Sequence, residues 1–184
     1  MLIQKYLYGL TSLSKVFLYS DFDGDISQWD TSNITDMSAT FAWSDYTGKY
    51  GSINDWDVSN VTHMEYTFQG SRYKGELSNW DTSNVETMQG MFYDGLYDGD
   101  ISAWDVSNVK STKNMFLRSD YTGKNGSLDN WDVSNVTDAK RMFSESKYTG
   151  DLNNWNINPN CNTELMFEKS VLEDNNMLPS WYIK

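Results

Sequence analysis

A phrase that begins with Trp-Asp (Trp-Asn in the last copy) recurs along this chain at a fixed spacing. Six tryptophans begin it: Trp29, Trp56, Trp80, Trp104, Trp131 and Trp155. Each lies 12 residues before a phenylalanine, and the phenylalanines, led by Phe17, are 24, 27, 24, 24, 27 and 24 residues apart. A strict period of this length predicts a solenoid, in which each repeat is one coil stacked on the previous coil.

Within one repeat, the pattern predicts a short strand followed by a short helix. Residues 56–58, Trp-Asp-Val, alternate apolar and polar side chains, which is typical of a half-buried strand. Val61, Met64 and Phe68 then follow at i, i+3 and i+7, which is one face of a helix. The sequence therefore predicts an α/β repeat solenoid with leucine-rich-repeat-like coils of 24–27 residues, each with one short parallel strand and one short helix.

The repeats predict a single solenoid domain over residues 1–184, with an N-terminal cap at 1–16, repeats at 17–167 and a C-terminal cap at 168–184. Terminal repeats of such proteins need caps because their outer faces have no neighbour. The apolar residues of the last segment could instead form a docking surface for another subunit. A glycine follows each of the first six phenylalanines by seven residues, and we expect it to take a positive φ.

Charge narrows the classes of partner. The net charge of -12 opposes binding to nucleic acid and to anionic membranes, because phosphate binding requires clustered Lys and Arg.

Cys161 is the only cysteine, so no intrachain disulfide is expected. No stretch approaches the roughly 18 apolar residues of a membrane span, and the N-terminus does not read as a signal peptide. We therefore expect no membrane insertion.

Two rows of identical residues predict an internal ladder. The tryptophans that begin the repeats form the first row. The second row contains five asparagines, which we expect to be buried and to bond the neighbouring backbone: Asn33, Asn60, Asn84, Asn108 and Asn135.

An aspartate follows five of these tryptophans and forms the most suggestive candidate surface. Its members are Asp30, Asp57, Asp81, Asp105 and Asp132. Like charges stacked at about 5 Å repel one another by roughly 1 kcal/mol even in water. Each carboxylate could offset this by accepting from the serine two residues later in an Asx turn. The alternative is a carboxylate ladder that binds Ca²⁺ or a basic partner, although the spacing of calcium-binding β-rolls is absent.

Four aromatic residues lie off the repeating rows: Trp43, Tyr50, Tyr66 and Tyr93. They could form a sugar- or protein-binding patch, because aromatic side chains anchor interfaces. Ordinary packing is an equally good interpretation. Together with the aspartate row they make the candidate binding surface.

The run Trp-Asp-Val-Ser-Asn-Val-Thr-x-Met at residues 56–64, with Met91-Phe92 and the Gly-Asp-Ile-Ser of residues 99–102, resembles the repeats of BspA-type surface proteins. These repeats also define a domain of unknown function in mycoplasma lipoproteins. The resemblance implies a leucine-rich-repeat-like solenoid for adhesion or protein binding at a microbial surface, without catalytic residues. The lipoprotein cysteine and wall-sorting tail of such proteins are not found here, which leaves a virion protein as an alternative.

The function predicted from the sequence is binding rather than catalysis. We expect a rigid acidic surface that contacts protein or glycan, in adhesion or in a larger homo- or hetero-assembly such as a virion. No catalytic residue, metal ligand or cofactor is predicted. The alternatives are an acidic decoy that mimics nucleic acid, and a β-helix-type polysaccharide lyase or hydrolase, for which two of the 26 acidic residues would suffice.

Overall fold

The computed structural model of the chain describes residues 9–183. Seven coils follow one another, and each contacts the next through an isolated parallel bridge. The bridges connect the residues five positions before the seven phenylalanines: Ser12, Asp36, His63, Thr87, Ser111, Asp138 and Asn162. Each coil therefore lies over the equivalent residues of its neighbour, at the sequence offset of 24 or 27.

The predicted α/β fold class is wrong. Within residues 9–183 the one α-helix is Val171–Asp174, which follows the last coil, and no strand is longer than a single bridge residue. The coils are not leucine-rich-repeat-like units of one strand and one helix. They consist of consecutive turns.

The hydrogen bonds explain why the predicted helix does not form. The N–H of Thr40 donates to the carbonyl of Met37 at 3.1 Å, as in a turn, whereas the N–H of Phe41 donates to Thr67 of the next coil at 2.8 Å. This alternation repeats around the first six of the seven phenylalanines that lead the coils. An α-helix uses its N–H groups within itself, so a segment that sends alternate N–H groups to its neighbour cannot be helical.

Two residues in each coil, two positions before and two positions after the phenylalanine, have a positive φ. They are Lys15, Tyr19, Ala39, Trp43, Tyr66, Gly70, Gly90, Asp94, Asn114, Arg118, Arg141, Glu145, Leu165 and Lys169. A hydrogen-bonded turn with a positive φ at its third residue is a type II turn, which favours glycine there. Gly70 and Gly90 meet that preference, and Asn114 has the other side chain that such a turn accepts. The other positions carry a strain of about 1 kcal/mol each, which the stack must offset.

The predicted strand is absent for a similar reason. The N–H of Ser59 donates to the carboxylate of Asp57 at 3.0 Å, and the N–H of Val61 donates to Val58 at 2.9 Å. Both bonds are local, so these N–H groups are not available for a sheet. The segment from Trp56 onward is thus an Asx turn followed by a second turn.

Two columns of stacked rings fill the interior. Neighbouring phenylalanines of the seven coils have ring centroids 5.3–5.8 Å apart and nearly parallel planes. The second column has centroid separations of 5.9–6.4 Å and consists of Tyr46, Tyr73, Tyr97, Tyr121 and Tyr148. All five tyrosines are fully buried. The columns bury large apolar area in every coil, and this burial stabilises the strained turns.

The glycine prediction is right at two positions only. Gly48 and Gly123 have a positive φ, and both lie beside the three extra residues of the 27-residue coils. The other four glycines have an ordinary φ: Gly24, Gly75, Gly99 and Gly150. At Gly75 the reason is space, because an added Cβ would meet the ring and hydroxyl of Tyr73.

The predicted N-terminal cap at 1–16 lies partly outside the described residues. At the other end, the short helix begins after Ser170, whose side chain accepts from the N–H of Glu173 at 3.2 Å. Trp181 then stacks on Trp155 with centroids 6.2 Å apart. Its indole N–H donates to the carbonyl of Leu152 at 2.7 Å, in the manner of the repeat tryptophans.

Candidate binding surfaces

The tryptophan row lies between coils. Five indole N–H groups donate to the carbonyl three residues before the preceding tryptophan, at 2.7–3.2 Å. The donors are Trp56, Trp80, Trp104, Trp131 and Trp155, each at most 4% exposed. Trp29 is half-buried, and its indole nitrogen has no partner among the described residues. These side chains connect neighbouring coils and are not available to bind a ligand.

The asparagine row also connects coils, but at the surface. Four side-chain amides donate to a serine carbonyl of the preceding coil at 2.7–2.8 Å: Asn60, Asn84, Asn108 and Asn135. Asn33 makes no such bond among the described residues. All five side chains are exposed, so the expectation of a buried row is wrong. The amides fix the spacing of the surface beside them.

The aspartate row forms an exposed acidic ridge, defined by Asp30, Asp57, Asp81, Asp105 and Asp132. Each carboxylate accepts from the N–H of the serine two residues later, at 2.9–3.2 Å. The serine hydroxyl also donates to Asp30 and to Asp57, at 2.6 Å in both cases. Each carboxylate is therefore held by an Asx turn, and its orientation is fixed by the backbone.

These hydrogen bonds favour the charged form of the ridge. The serine hydroxyl first, and the serine N–H second, hold the pKa of Asp30, Asp81 and Asp132 below its usual range. None of the ion pairs between residues 9 and 183 includes a member of the acidic ridge. In the same region, no three His, Cys, Asp or Glu side chains are grouped to hold a metal ion.

Two of the off-row aromatics lie flat on glycines. The ring of Trp43 covers Gly70 of the next coil so closely that any Cβ at Gly70 would clash with it. The ring of Tyr66 covers Gly90 in the same way. All four residues have a positive φ. Trp43 and Gly70 each lie two residues after a phenylalanine, whereas Tyr66 and Gly90 each lie two residues before one. Trp43 remains 41% exposed.

Tyr93 and Gln89 make hydrogen bonds to these residues. The carbonyl of Tyr93 accepts from the N–H of Gly70 at 2.7 Å, which places Tyr93 in the coil after the glycine that carries Trp43. The side-chain amide of Gln89 donates to the hydroxyl of Tyr66. We call the surface of Trp43, Tyr66 and Tyr93 the aromatic patch.

Tyr50 does not belong to the aromatic patch. It lies in the three-residue insertion of a 27-residue coil, is 61% exposed, and has the ammonium of Lys49 5.1 Å from its ring centroid. The structure thus divides the four off-row aromatics between two places.

The sequence analysis missed three residues of this region. Gly70 and Gly90 support the aromatic rings, and Tyr19 stands at the position equivalent to Trp43 in the first coil, 74% exposed. The signal was available in the repeat alignment. Each glycine occupies the column position of the aromatic one coil earlier, at an offset of 27 or 24 residues.

Stacked coils that contact only their neighbours define the chain as a repeat protein. The family described as "Mycoplasma protein of unknown function, DUF285" matches residues 11–122 and residues 71–181. The chain belongs to this family. No curated protein and no solved structure matches it. Among the described residues, no helix is long and apolar enough to cross a membrane.

Proposed function

We propose that the chain is a non-catalytic binding module that contacts protein or glycan, in adhesion at a microbial surface or within a virion or other surface assembly. The resemblance of its repeats to BspA-type surface proteins supports the adhesive setting. The observation that carries the proposal is the aromatic patch, in which Trp43 and Tyr66 lie on glycines while leaving part of each ring in contact with solvent.

The aromatic patch lies outside the ring columns of the interior. The interior rings of Phe41 and Phe68 are at most 1% exposed, whereas Trp43 adds a large apolar surface outside them. Exposed aromatic rings on a rigid support anchor interfaces, because they give contact area at little cost in conformational entropy. A flat ring with one open face also suits stacking against a sugar ring or an apolar side chain.

The acidic ridge restricts the charge of the partner. Its carboxylates have no cationic partner among the described residues and are held in fixed orientations by Asx turns. A ligand that carries phosphate or sulfate would be repelled by this surface and by the net charge of -12. Neutral glycans and neutral or basic proteins are the expected ligands.

Alanine substitutions in the aromatic patch test the proposal. Binding of the fluorescently labelled chain is measured on an array of immobilised neutral oligosaccharides and of neutral and basic proteins. For the ligand retained most strongly, Trp43→Ala and Tyr66→Ala should each weaken affinity about tenfold or more, because truncation of an aromatic anchor costs over 1 kcal/mol. Tyr50→Ala removes a more exposed ring elsewhere and should leave affinity unchanged.

Two results would contradict the proposal. Affinities that are the same for Trp43→Ala, Tyr66→Ala and the unaltered chain would exclude the aromatic patch as the contact surface. Failure of the chain to bind any neutral glycan or protein on the array would contradict the function itself. Melting curves of the variants show whether a weaker signal comes from lost contact rather than lost fold.

The second candidate is an acidic decoy that mimics nucleic acid, and the regular row of unpaired carboxylates favours it. A decoy should bind immobilised nucleic-acid-handling proteins at low salt and release them as salt rises. Its affinity should fall in an Asp57→Asn, Asp81→Asn double variant and be unaffected by Trp43→Ala. The binding module with an aromatic contact surface predicts the reverse. Its affinity should fall with Trp43→Ala and be unaffected by the Asp57→Asn, Asp81→Asn double variant.

A further inference from the structure

A cleft lies beside the three extra residues of the second 27-residue coil. These residues include Asn125, whose side-chain amide donates to the carbonyl of Asp98 in the preceding coil. The cleft measures about 420 Å³. Asn125 and Asp98 line it together with Leu96 from the coil of Asp98, and with Lys74 and Glu76 from the coil before. We call it the insertion cleft.

Hydrogen bonds and ion pairs fix one wall of the insertion cleft. The N–H and the hydroxyl of Thr122 both donate to the carboxylate of Asp98 at 2.7 Å, and the ammonium of Lys124 lies 3.1 Å from it. Asp120 pairs with Lys147 at 2.6 Å. Thr122, Asp120 and Lys147 also line the cleft. Each of the two aspartates thus has a cationic partner, which leaves little net charge on this wall.

Two further charged groups of the insertion cleft are not paired in this way. Lys74 and Glu76 are exposed, and neither belongs to an ion pair within the part of the chain that the structure describes. The cleft therefore offers one ammonium, which donates hydrogen bonds, and one carboxylate, which accepts them. Their charges balance, although the whole chain carries -12. Exposed charges more than about 8 Å away are largely screened at physiological salt, so this local balance decides which ligand the cleft favours.

Leu96 gives the insertion cleft an apolar side. It lies four residues after a phenylalanine and is 37% exposed. The other five of the first six coils have a charged residue at this position: Asp21, Asp45, Arg72, Asp120 and Lys147. A single exposed leucine needs no explanation by itself. This leucine, however, departs from a charged row at the place where an ammonium, a carboxylate and an amide line the same cleft.

We infer that the insertion cleft binds one unit of a neutral sugar, with a C–H face of the sugar ring on Leu96 and hydroxyls on Lys74 and Glu76. A hydroxyl both accepts from an ammonium and donates to a carboxylate, so a sugar satisfies both groups without a charge of its own. The volume lies within the range of small-molecule sites. The cleft is separate from the aromatic patch, so the inference adds to the proposed function and does not depend on that patch.

Nuclear magnetic resonance of the full chain, labelled with ¹⁵N, tests the inference. The probes are the methyl glycosides of glucose, galactose, mannose and N-acetylglucosamine, each titrated to millimolar concentration. At least one should cause saturable shifts of the Thr122 N–H and of the Asn125 side-chain amide. Glycine, a zwitterion that offers paired charges and no hydroxyl, is titrated in parallel and should leave both signals in place.

The first 27-residue coil provides an internal control. The N–H of Thr47 donates to the carboxylate of Asp23 at 2.7 Å, as Thr122 does to Asp98. Tyr50 stands there in place of Asn125, and an aspartate stands in place of Leu96. The Thr47 signal should therefore not move with any glycoside.

Substitutions in the insertion cleft should weaken glycoside affinity. Leu96→Asp and Lys74→Met should each lower it about tenfold or more, because they remove the apolar contact and a charged hydrogen-bond donor. Aspartate already occupies the position of Leu96 in three other coils, so the fold should accept it. Lys110→Met is the matched control, since Lys110 is exposed, also belongs to no ion pair among residues 9–183, and lies outside the cleft. Its affinity should equal that of the unaltered chain.

Several results would overturn the inference. They are the absence of saturable shifts at Thr122 and Asn125 with every glycoside, shifts with glycine alone, and equal losses in Lys74→Met and Lys110→Met. Shifts that disappear in Trp43→Ala would assign the sugar to the aromatic patch and overturn the cleft. Shifts that persist in Trp43→Ala support the cleft, even where that variant binds the array as well as the unaltered chain does and the aromatic patch is thereby excluded.

Discussion

Replacement of Trp80 with alanine should lower the free energy of unfolding by about 4–6 kcal/mol. The indole is 3% exposed, stacks on Trp104 at 6.2 Å and donates to the carbonyl of Ile53 at 2.9 Å. Loss of a buried Trp side chain costs about 3–5 kcal/mol, and the stranded carbonyl adds about 1 kcal/mol. For a chain of this length, the melting temperature should fall by about 8–24 °C.

Trp43→Ala is the matched control, because it makes the same chemical change at a ring that is 41% exposed. It should cost no more than about 1 kcal/mol. Chemical denaturation of both variants measures the difference. Equal losses at the two sites would mean that the buried tryptophan row does not hold the coils together.

Alkaline pH should unfold the chain over a narrow range. Burial first, and nearby negative charge or further tyrosines second, raise the pKa of Tyr46, Tyr73, Tyr97 and Tyr121 well above its usual value. Burial likewise raises the pKa of Tyr148. The unfolded chain releases these protons near pH 10, whereas the folded chain keeps them. Stability is therefore complete below about pH 10 and is lost as pH rises above it.

The size of this effect follows from proton linkage. Each tyrosine that ionises only in the unfolded state removes about 1.4 kcal/mol per pH unit, so five remove about 7 kcal/mol per unit. Since domains are stable by about 5–15 kcal/mol, unfolding should be complete within about two units above pH 10. Absorbance at 295 nm and circular dichroism, followed together, should show that the buried tyrosines ionise over the same pH range in which the chain unfolds.

Tyr97→Phe removes one of these groups and should move the alkaline midpoint to higher pH, because fewer protons are released on unfolding. Tyr50→Phe changes an exposed ring and should leave the midpoint in place. Reversible ionisation of all tyrosines with the fold intact would show that the tyrosine column is open to solvent.

Much of the stack could be read from the sequence because identical residues at a constant spacing must meet when coils stack. The period of 24 or 27 residues equals the offset between bridged residues such as Asp36 and His63. It also shows which rings are neighbours, for example Phe92 and Phe116 at 5.6 Å. This arithmetic needs no knowledge of the backbone conformation within a coil.

The local backbone could not be read in the same way. Val61, Met64 and Phe68 are buried at the spacing of a helix face, but consecutive turns also bring every third or fourth residue inward. A helix and a series of type II turns differ in the sign of φ at positions between these buried residues. Residues such as Leu165 and Glu145 occupy positive-φ positions without the glycine or asparagine that would signal them.

The candidate site was partly accessible to sequence reasoning. Trp43, Tyr66 and Tyr93 stand out because they depart from the rows, and the structure brings them to the same series of turns. Tyr50 departs equally but lies in an insertion. The supporting glycines were missed because a glycine is informative only when the residue above it in the neighbouring coil is known.

Ala39→Gly tests the central claim, that strained type II turns rather than helices build the coils. Ala39 has a φ of 54° and donates its N–H to Glu65 of the next coil at 2.7 Å. Glycine relieves the strain of this conformation, so stability should rise by about 0.5–1 kcal/mol despite the entropy cost of glycine. Ala103→Gly, at an exposed residue outside the positive-φ set, should instead lose about 0.5–1 kcal/mol. A loss of about 1 kcal/mol at Ala39, as glycine causes inside a helix, would contradict the turn architecture.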